Sequence, residues 1–195
     1  MNKGFLALLG LMLLMPAACR APDAPPLAGA PIGGAFVLTD QDGRRFDSAV
    51  LAGHYPIVYF GYTFCPDVCP LDMAVLGQAL KTLEAKDPAK AARLRPIFIT
   101  VDPARDTPAV LKRYVAAFSP RLIGLTGTPD QIASVAKAYA IFYQKAPAAA
   151  GASGYMMNHS REALLFGPDG KPIMLLPVDA DKDQVVAALE KWVKK

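Results

Sequence analysis

A chain of 195 residues with 53% hydrophobic and 19% charged residues can build one sizeable core, which excludes global disorder and favours one domain with a tail. The formal net charge of +4 is scattered among acids and forms no basic stripe interleaved with aromatics, so nucleic acid is excluded as the natural partner. The largest basic cluster, Lys191, Lys194 and Lys195, sits at the C-terminus and reads as solvated surface.

Met1-Asn2-Lys3 is a short positive start, Phe5 to Met15 is an unbroken run of apolar residues and glycine, and Pro16-Ala17-Ala18-Cys19 follows. This is the plan of a secretory signal, and the run is too short for a spanning helix, which takes ~20 apolar residues. Residues 1–18 are read as that signal. Small residues directly before Cys19 resemble the lipobox of bacterial lipoproteins, although Pro16 stands where that box usually has Leu. The alternative is an ordinary cut near Ala18 that leaves a free thiol. Lipidation of Cys19 is the expectation, because an odd cysteine in an exported chain needs an explanation. Residues 19–31, which include "APDAPPLAGAP", read as a Pro/Ala-rich tether to a domain over 32–195. The expected location is the bacterial cell envelope, facing the periplasm and held to a membrane by lipid. Thiols there are oxidised unless something keeps them reduced.

Within the domain, "AFVLTDQDGRRF" (35–46) predicts a hairpin turning at Asp40 to Gly43. "PIVYFGY" (56–62) is an apolar run suited to a strand buried on both faces. "YTFCPDVCPLD" (62–72) follows it. A helix then runs from about Leu71 to Ala85, with Met73, Leu76, Leu80 and Leu83 at helical spacing and its first residue at either Pro66 or Pro70. "RPIFITVD" (95–102) and "RLIGLTG" (121–127) predict two more strands. "RDTPAVLKRYVAAF" (105–118) and "TPDQIASVAKAYAIFY" (128–143) predict helices capped by Thr107 and Thr128. "QKAPAAAGASG" (144–154) reads as a low-complexity loop. "EALLF" and "PIMLL" flank the turn Gly167 to Gly170, and Val185, Ala188, Leu189, Trp192 and Val193 trace one face of a closing helix. Alternating strands and helices imply an α/β domain with a mixed sheet covered by helices, whose ligands gather beyond the C-terminal ends of strands.

Cys65 and Cys69 admit three readings. A structural disulfide would close a tiny loop and stabilise little. A redox pair at a helix N-terminus would have a lowered thiol pKa and a resolving partner, and thioredoxin-like oxidoreductases place their pair after the corresponding strand, with two residues between the cysteines where this chain has three. A metal site needs another ligand. Of the two histidines, His54 precedes its strand at the far end, whereas His159, on the loop before the terminal hairpin, faces the cysteines in a thioredoxin-like sheet. Two thiolates and an imidazole suit copper(I), whereas zinc normally takes a fourth ligand. Met156 and Met157 add soft sulfur nearby but read as apolar filling. Asp102, followed by Arg105 and Asp106, is divided between tuning the site from behind its ligands or contacting a partner and shaping a strand-to-helix turn. Tyr62 and Phe64 read as loop packing.

"YTFCPDVCP", "VDPARDTP" and "YMMNHS", in that order between Ile32 and Trp192, resemble the Sco (SenC) proteins, named for synthesis of cytochrome c oxidase. The resemblance implies a thioredoxin-like mixed central sheet flanked by helices, preceded by the N-terminal hairpin. It also implies Cys65, Cys69 and His159 as ligands of copper, as Cu(I) and also Cu(II), and delivery to the binuclear copper site of a terminal oxidase. Implied partners are oxidase subunit II or another copper protein, an upstream copper chaperone and a thioredoxin-like reductant. Asn158 departs from the family's usual Asp before the histidine and removes a charge beside the ligand. The rival role is a thiol–disulfide reductase in which Cys65 attacks and Cys69 resolves. A peroxide-reducing relative, with Thr63 beside a single active cysteine, leaves Cys69 and His159 unexplained.

Overall fold

The computed structural model describes residues 23–147 and 154–195. The expected signal and Cys19 lie outside them. The hairpin forms as β1 (Val37–Asp40) and β2 (Arg45–Asp47), where the Asp40 carboxylate accepts the N–H groups of Asp42 and Arg44 at 2.8 and 2.9 Å and Gly43 takes the positive φ of the turn, 76°. Next comes β3 (Tyr55–Gly61), buried along its whole length. It is followed by α1 (Val68–Lys86), a short α2 (Pro88–Arg93) that sequence periodicity does not reveal, and β4 (Leu94–Thr100). Then α3 (Pro108–Ala116), β5 (Ile123–Thr126) and α4 (Pro129–Ala138) alternate as expected, with Thr107 and Thr128 accepting first-turn N–H groups. The chain continues through β6 (Tyr143–Pro147), β7 (Tyr155–His159), β8 (Ala163–Phe166), β9 (Pro172–Leu176) and α5 (Lys182–Trp192).

Seven strands form one sheet in the order β2-β1-β5-β4-β3-β8-β9. The inner strands β3, β4 and β5 are parallel, while β1 and β8 join them antiparallel. Burial on both faces explains the uninterrupted apolar run of β3, and Ile57, Val58, Tyr59 and Phe60 are wholly inaccessible beside Ile97, Phe98 and Ile99. Gly61 pairs with Thr100, and the Val101 N–H donates to the Gly61 carbonyl at 2.8 Å. The segments after β3 and β4 therefore leave the sheet side by side at one edge.

Two expectations are corrected. The helix expected over 128–143 stops at Ala138. Ala140 takes the left-handed conformation (φ 57°), the Ile141 N–H reaches back to the Ala136 carbonyl at 2.8 Å, and the Ala140 N–H reaches that of Lys137 at 3.2 Å. This is a Schellman ending with alanine where glycine usually marks the stop. Second, the stretch expected as a loop over 144–154 begins as a strand. β6 and β7 form a separate two-stranded ribbon that places Tyr143 opposite His159. The tether region touches the domain from Asp23, which pairs with Lys191 at 2.7 Å, and Leu27 donates to the Ile173 carbonyl at 2.9 Å. No helix among the described residues is long and apolar enough to cross a membrane.

The seat of α1 is set by Gly77, where an added Cβ would lie 2.5 Å from the Phe118 carbonyl oxygen. Gly77→Ala is expected to destabilise the domain by ~1–3 kcal/mol through overpacking, despite alanine's better helix propensity. Urea unfolding measures it, and an unchanged midpoint would contradict the close approach.

Candidate metal centre

The cysteine loop, Tyr62 to Asp67, leaves the buried end of β3 and enters α1 at Val68. Neither Pro66 nor Pro70 starts the helix. Pro70 is its third residue, where a missing N–H costs nothing because the first four N–H groups have no intrahelical partner. Asp67 precedes the helix without capping it through its side chain, and the Cys69 N–H instead meets the Cys65 sulfur at 3.5 Å. The Cys65 sulfur thus stands where a capping oxygen normally would, at the positive end of the helix. Cys69 is wholly buried and Cys65 partly exposed. An added Cβ on Gly61 would lie 3.1 Å from the Cys69 sulfur, so the absence of a side chain there lets that sulfur settle onto the end of β3.

The loop is pinned from the neighbouring strand end. Buried Asp106 accepts the Thr63 N–H at 3.0 Å, the Thr63 hydroxyl at 2.6 Å and the Thr100 hydroxyl at 2.5 Å. Burial raises its pKa above the usual carboxylate range, against these hydrogen bonds.

His159 is the last residue of β7 rather than part of a loop. Its Nε2 lies 3.2 Å from the Cys69 sulfur, and its Nδ1 lies 2.7 Å from the Ser160 carbonyl. A carbonyl only accepts, so Nδ1 carries the proton and Nε2 offers its lone pair to the site. Tyr62 meets the imidazole edge-on, with ring centroids 5.8 Å apart. The donor atoms of Cys65, Cys69 and His159 all lie within 4.8 Å of one another. That spacing suits one ion held by bonds of ~2.0–2.3 Å. Cys65 and His159 border an open cleft of about 410 Å³ that Tyr62, Pro66 and Met156 also line.

The two thiols differ in character. A hydrogen bond from Cys69, aided by the N–H groups of Cys69 and Asp67, holds Cys65 well below the ordinary thiol range despite its partial burial. Cys69 is pushed up, first by that same hydrogen bond to Cys65 and then by burial. The pair gives up one proton readily and the second with difficulty, leaving a partly exposed thiolate beside a buried thiol.

The remaining expected residues sit further back. Asp102 is buried, accepts the Tyr155 hydroxyl at 2.7 Å and pairs with Arg105, whose guanidinium lies 3.7 Å over the Tyr155 ring and donates to the Tyr155 carbonyl at 3.0 Å. Asp102 therefore holds the outer end of the β6–β7 ribbon. Asn158 is exposed opposite Gln144. Met157 is buried, and the Met156 sulfur receives the Tyr62 hydroxyl at 4.0 Å, which fits their reading as filling. Tyr62 is buried as expected, but Phe64 is 53% exposed beneath the Arg105 guanidinium. His54 lies at the far end of β3 beside Arg95. Sequence reading passed over Asp72, which is wholly buried on α1 and bound by Tyr59 and Arg161. The signal was present, because Asp72 lies on the buried stripe of Cys69, Met73 and Leu76, where a carboxylate needs a partner.

The family model SCO1/SenC matches residues 24–194. The mitochondrial protein SCO1 of Saccharomyces cerevisiae is 38% identical over 163 residues, which are 84% of this chain and 54% of that protein, so the chain spans about half its length. An SCO2-like protein of Rickettsia felis is 35% identical over 179 residues, 88% of this chain and 85% of its own. The structure of Bradyrhizobium japonicum ScoI with copper bound is 36% identical, with a TM-score of 0.73, covering 83% of this chain and 99% of that one.

Because Cys65 titrates below the ordinary thiol pKa of 9.0, its alkylation by iodoacetamide is expected to stay fast from pH 8 down to pH 6, while Cys69 remains unmodified. Mass spectrometry of the digested protein reads both sites. A Cys65 rate falling tenfold per pH unit across that window would contradict the thiolate.

Proposed function

This chain belongs to the SCO1/SenC family, and on that footing we propose that it binds copper through Cys65, Cys69 and His159 and delivers it to another protein. The observation that carries this reading is the convergence of two sulfurs and one imidazole nitrogen within 4.8 Å at one end of the sheet. Two soft thiolates and an imidazole favour copper(I), the cargo, over ions that prefer oxygen. Three protein donors leave an open side where a recipient's thiolate can attack before the last donor lets go. The recipient that fits is the binuclear copper site on subunit II of a terminal oxidase, or another envelope copper protein, with loading by an upstream copper chaperone. Delivery in the envelope accords with an N-terminal signal and a lipid on Cys19.

The difference between the two thiols also favours a second reading, thiol–disulfide exchange. The Cys65 thiolate attacks a sulfur of the recipient's disulfide and forms a mixed disulfide. Cys69 then displaces the recipient, which leaves with both its cysteines reduced, and Cys65 and Cys69 are oxidised to a disulfide. A thioredoxin-like reductant must restore the dithiol. The peroxide-reducing alternative is less well supported, since the Thr63 hydroxyl is engaged by Asp106.

The two readings part at His159. Titration of the reduced protein with copper(I) against a competing chelator is expected to show one tight copper per chain. Cys65→Ser, Cys69→Ser and His159→Ala should each weaken it by more than ~100-fold, the upper end of what losing a mere outer partner costs. His159→Ala should leave disulfide exchange with a model dithiol largely intact. Weak binding indifferent to His159 would instead favour the reductase.

A further inference from the structure

The ion pair between the wholly buried Asp72 and Arg161, whose side chain is 38% exposed, has no part in the chemistry described above, yet it bridges the two elements that carry the donors. Asp72 follows Cys69 by three residues on α1, so both lie on one face of the helix, and both are wholly buried. Arg161 follows His159 by two residues, beyond the end of β7. Its Nε and Nη2 donate to the two oxygens of Asp72 at 2.8 and 2.5 Å, a bidentate grip, and the Tyr59 hydroxyl donates to the same carboxylate at 2.8 Å. The clasp spans the gap that Cys69 and His159 cross at 3.2 Å.

The ribbon that carries His159 lies outside the main sheet, and side-chain contacts tie it to the body at both ends. Its outer end is held where Tyr155 meets Asp102 and Arg105. At the histidine end, Ser160 is stapled to Phe142, with its N–H donating to the Phe142 carbonyl at 2.9 Å and its hydroxyl accepting the Phe142 N–H at 3.0 Å. That staple joins the ribbon to its own base. Arg161 is the side chain here that reaches across to α1. With its arginine facing water, the pair contributes little to stability through charge alone. Its two guanidinium hydrogen bonds do fix direction.

We propose that the Asp72–Arg161 pair is a positioning device that holds the His159 imidazole against Cys69 before metal arrives, so that copper meets a formed three-donor site. This rests on the reading of His159 as a copper ligand.

The test is a cycle of copper(I) affinities for the reduced protein, its Arg161→Met and His159→Ala variants, and the double variant. Arg161→Met is expected to weaken copper binding by ~10-fold, the low end of what losing a direct outer partner of a ligand costs because Arg161 touches none of the three donors, and by no more than His159→Ala does. The double variant should then match His159→Ala alone, because a device that acts through His159 has nothing to position once the imidazole is gone. X-ray absorption of the Arg161→Met complex should show a weakened or lengthened nitrogen contact with the two sulfurs unchanged. If Arg161→Met leaves affinity unaltered, or if the two losses multiply in the double variant, the positioning role is overturned. If His159→Ala alone leaves affinity unaltered, the ligand reading falls and the clasp's role falls with it, a different pattern from the first. Should Arg161→Met fail to fold by circular dichroism, Arg161→Lys, which keeps the charge but loses the second donor, goes through the same cycle under the same criteria.

Discussion

The Cys69 sulfur rests against the Cα of Gly61, where the most buried strand of the sheet ends. That contact fixes the rest of the centre. A strand with four consecutive inaccessible side chains cannot shift without opening the core, so its end is a firm reference point. The first turn of α1 is laid onto that point, and Gly77 lets the same helix approach Phe118 closely further along. The sulfur is thereby placed by packing, and its burial follows from the same contact. Cys65, one turn earlier, has no such seat. It is left at the mouth of the cleft, held by the N–H group it accepts.

Three buried carboxylates surround this arrangement, and each ties a different segment to the body. Asp106 holds the cysteine loop through Thr63, Asp102 holds the far end of the ribbon through Tyr155, and Asp72 holds the histidine end through Arg161. Magnitudes decide what they are for. Leaving a buried acceptor without its partner costs about 1–3 kcal/mol, more for a charged group, but replacing both partners by apolar groups of the same shape is often nearly neutral. Stability alone therefore does not explain three of them around one cleft. Hydrogen bonds with fixed direction do, because a site for one small ion tolerates displacements of only a fraction of an ångström.

What could be read in the sequence follows from how local each determinant is. The caps at Thr107 and Thr128 lie within a few residues of the groups they satisfy, and both helices begin where they were expected. The apolar run of β3 announces its burial by composition alone. The motifs around Cys65, Cys69 and His159 were legible because few functions need two cysteines and a histidine in that order. Other features depend on distant partners. β6 is a strand because β7 pairs with it, and nothing in the composition of Gln144 to Pro147 says so. The end of α4 rests on Ala140 in a conformation that usually calls for glycine, so its signpost was missing. Asp72 and Arg161 are 89 residues apart, and an acid on a buried stripe signals only that some partner exists.

The same asymmetry serves both readings of function. In copper transfer, an incoming thiolate can reach the metal only from the open side, where Cys65 stands. The ligand it displaces first is then the thiolate that is more exposed and, with its lowered pKa, the better leaving group. On that reading Cys69, buried on Gly61, and His159 would hold the ion until the recipient has made its first bond. In disulfide exchange, the exposed thiolate is the nucleophile and the buried thiol resolves. A site that released copper in that order would also have the layout of a dithiol reductant. The imidazole has a place in the first chemistry and none in the second, so its careful support favours the carrier as the role that shaped this end of the molecule.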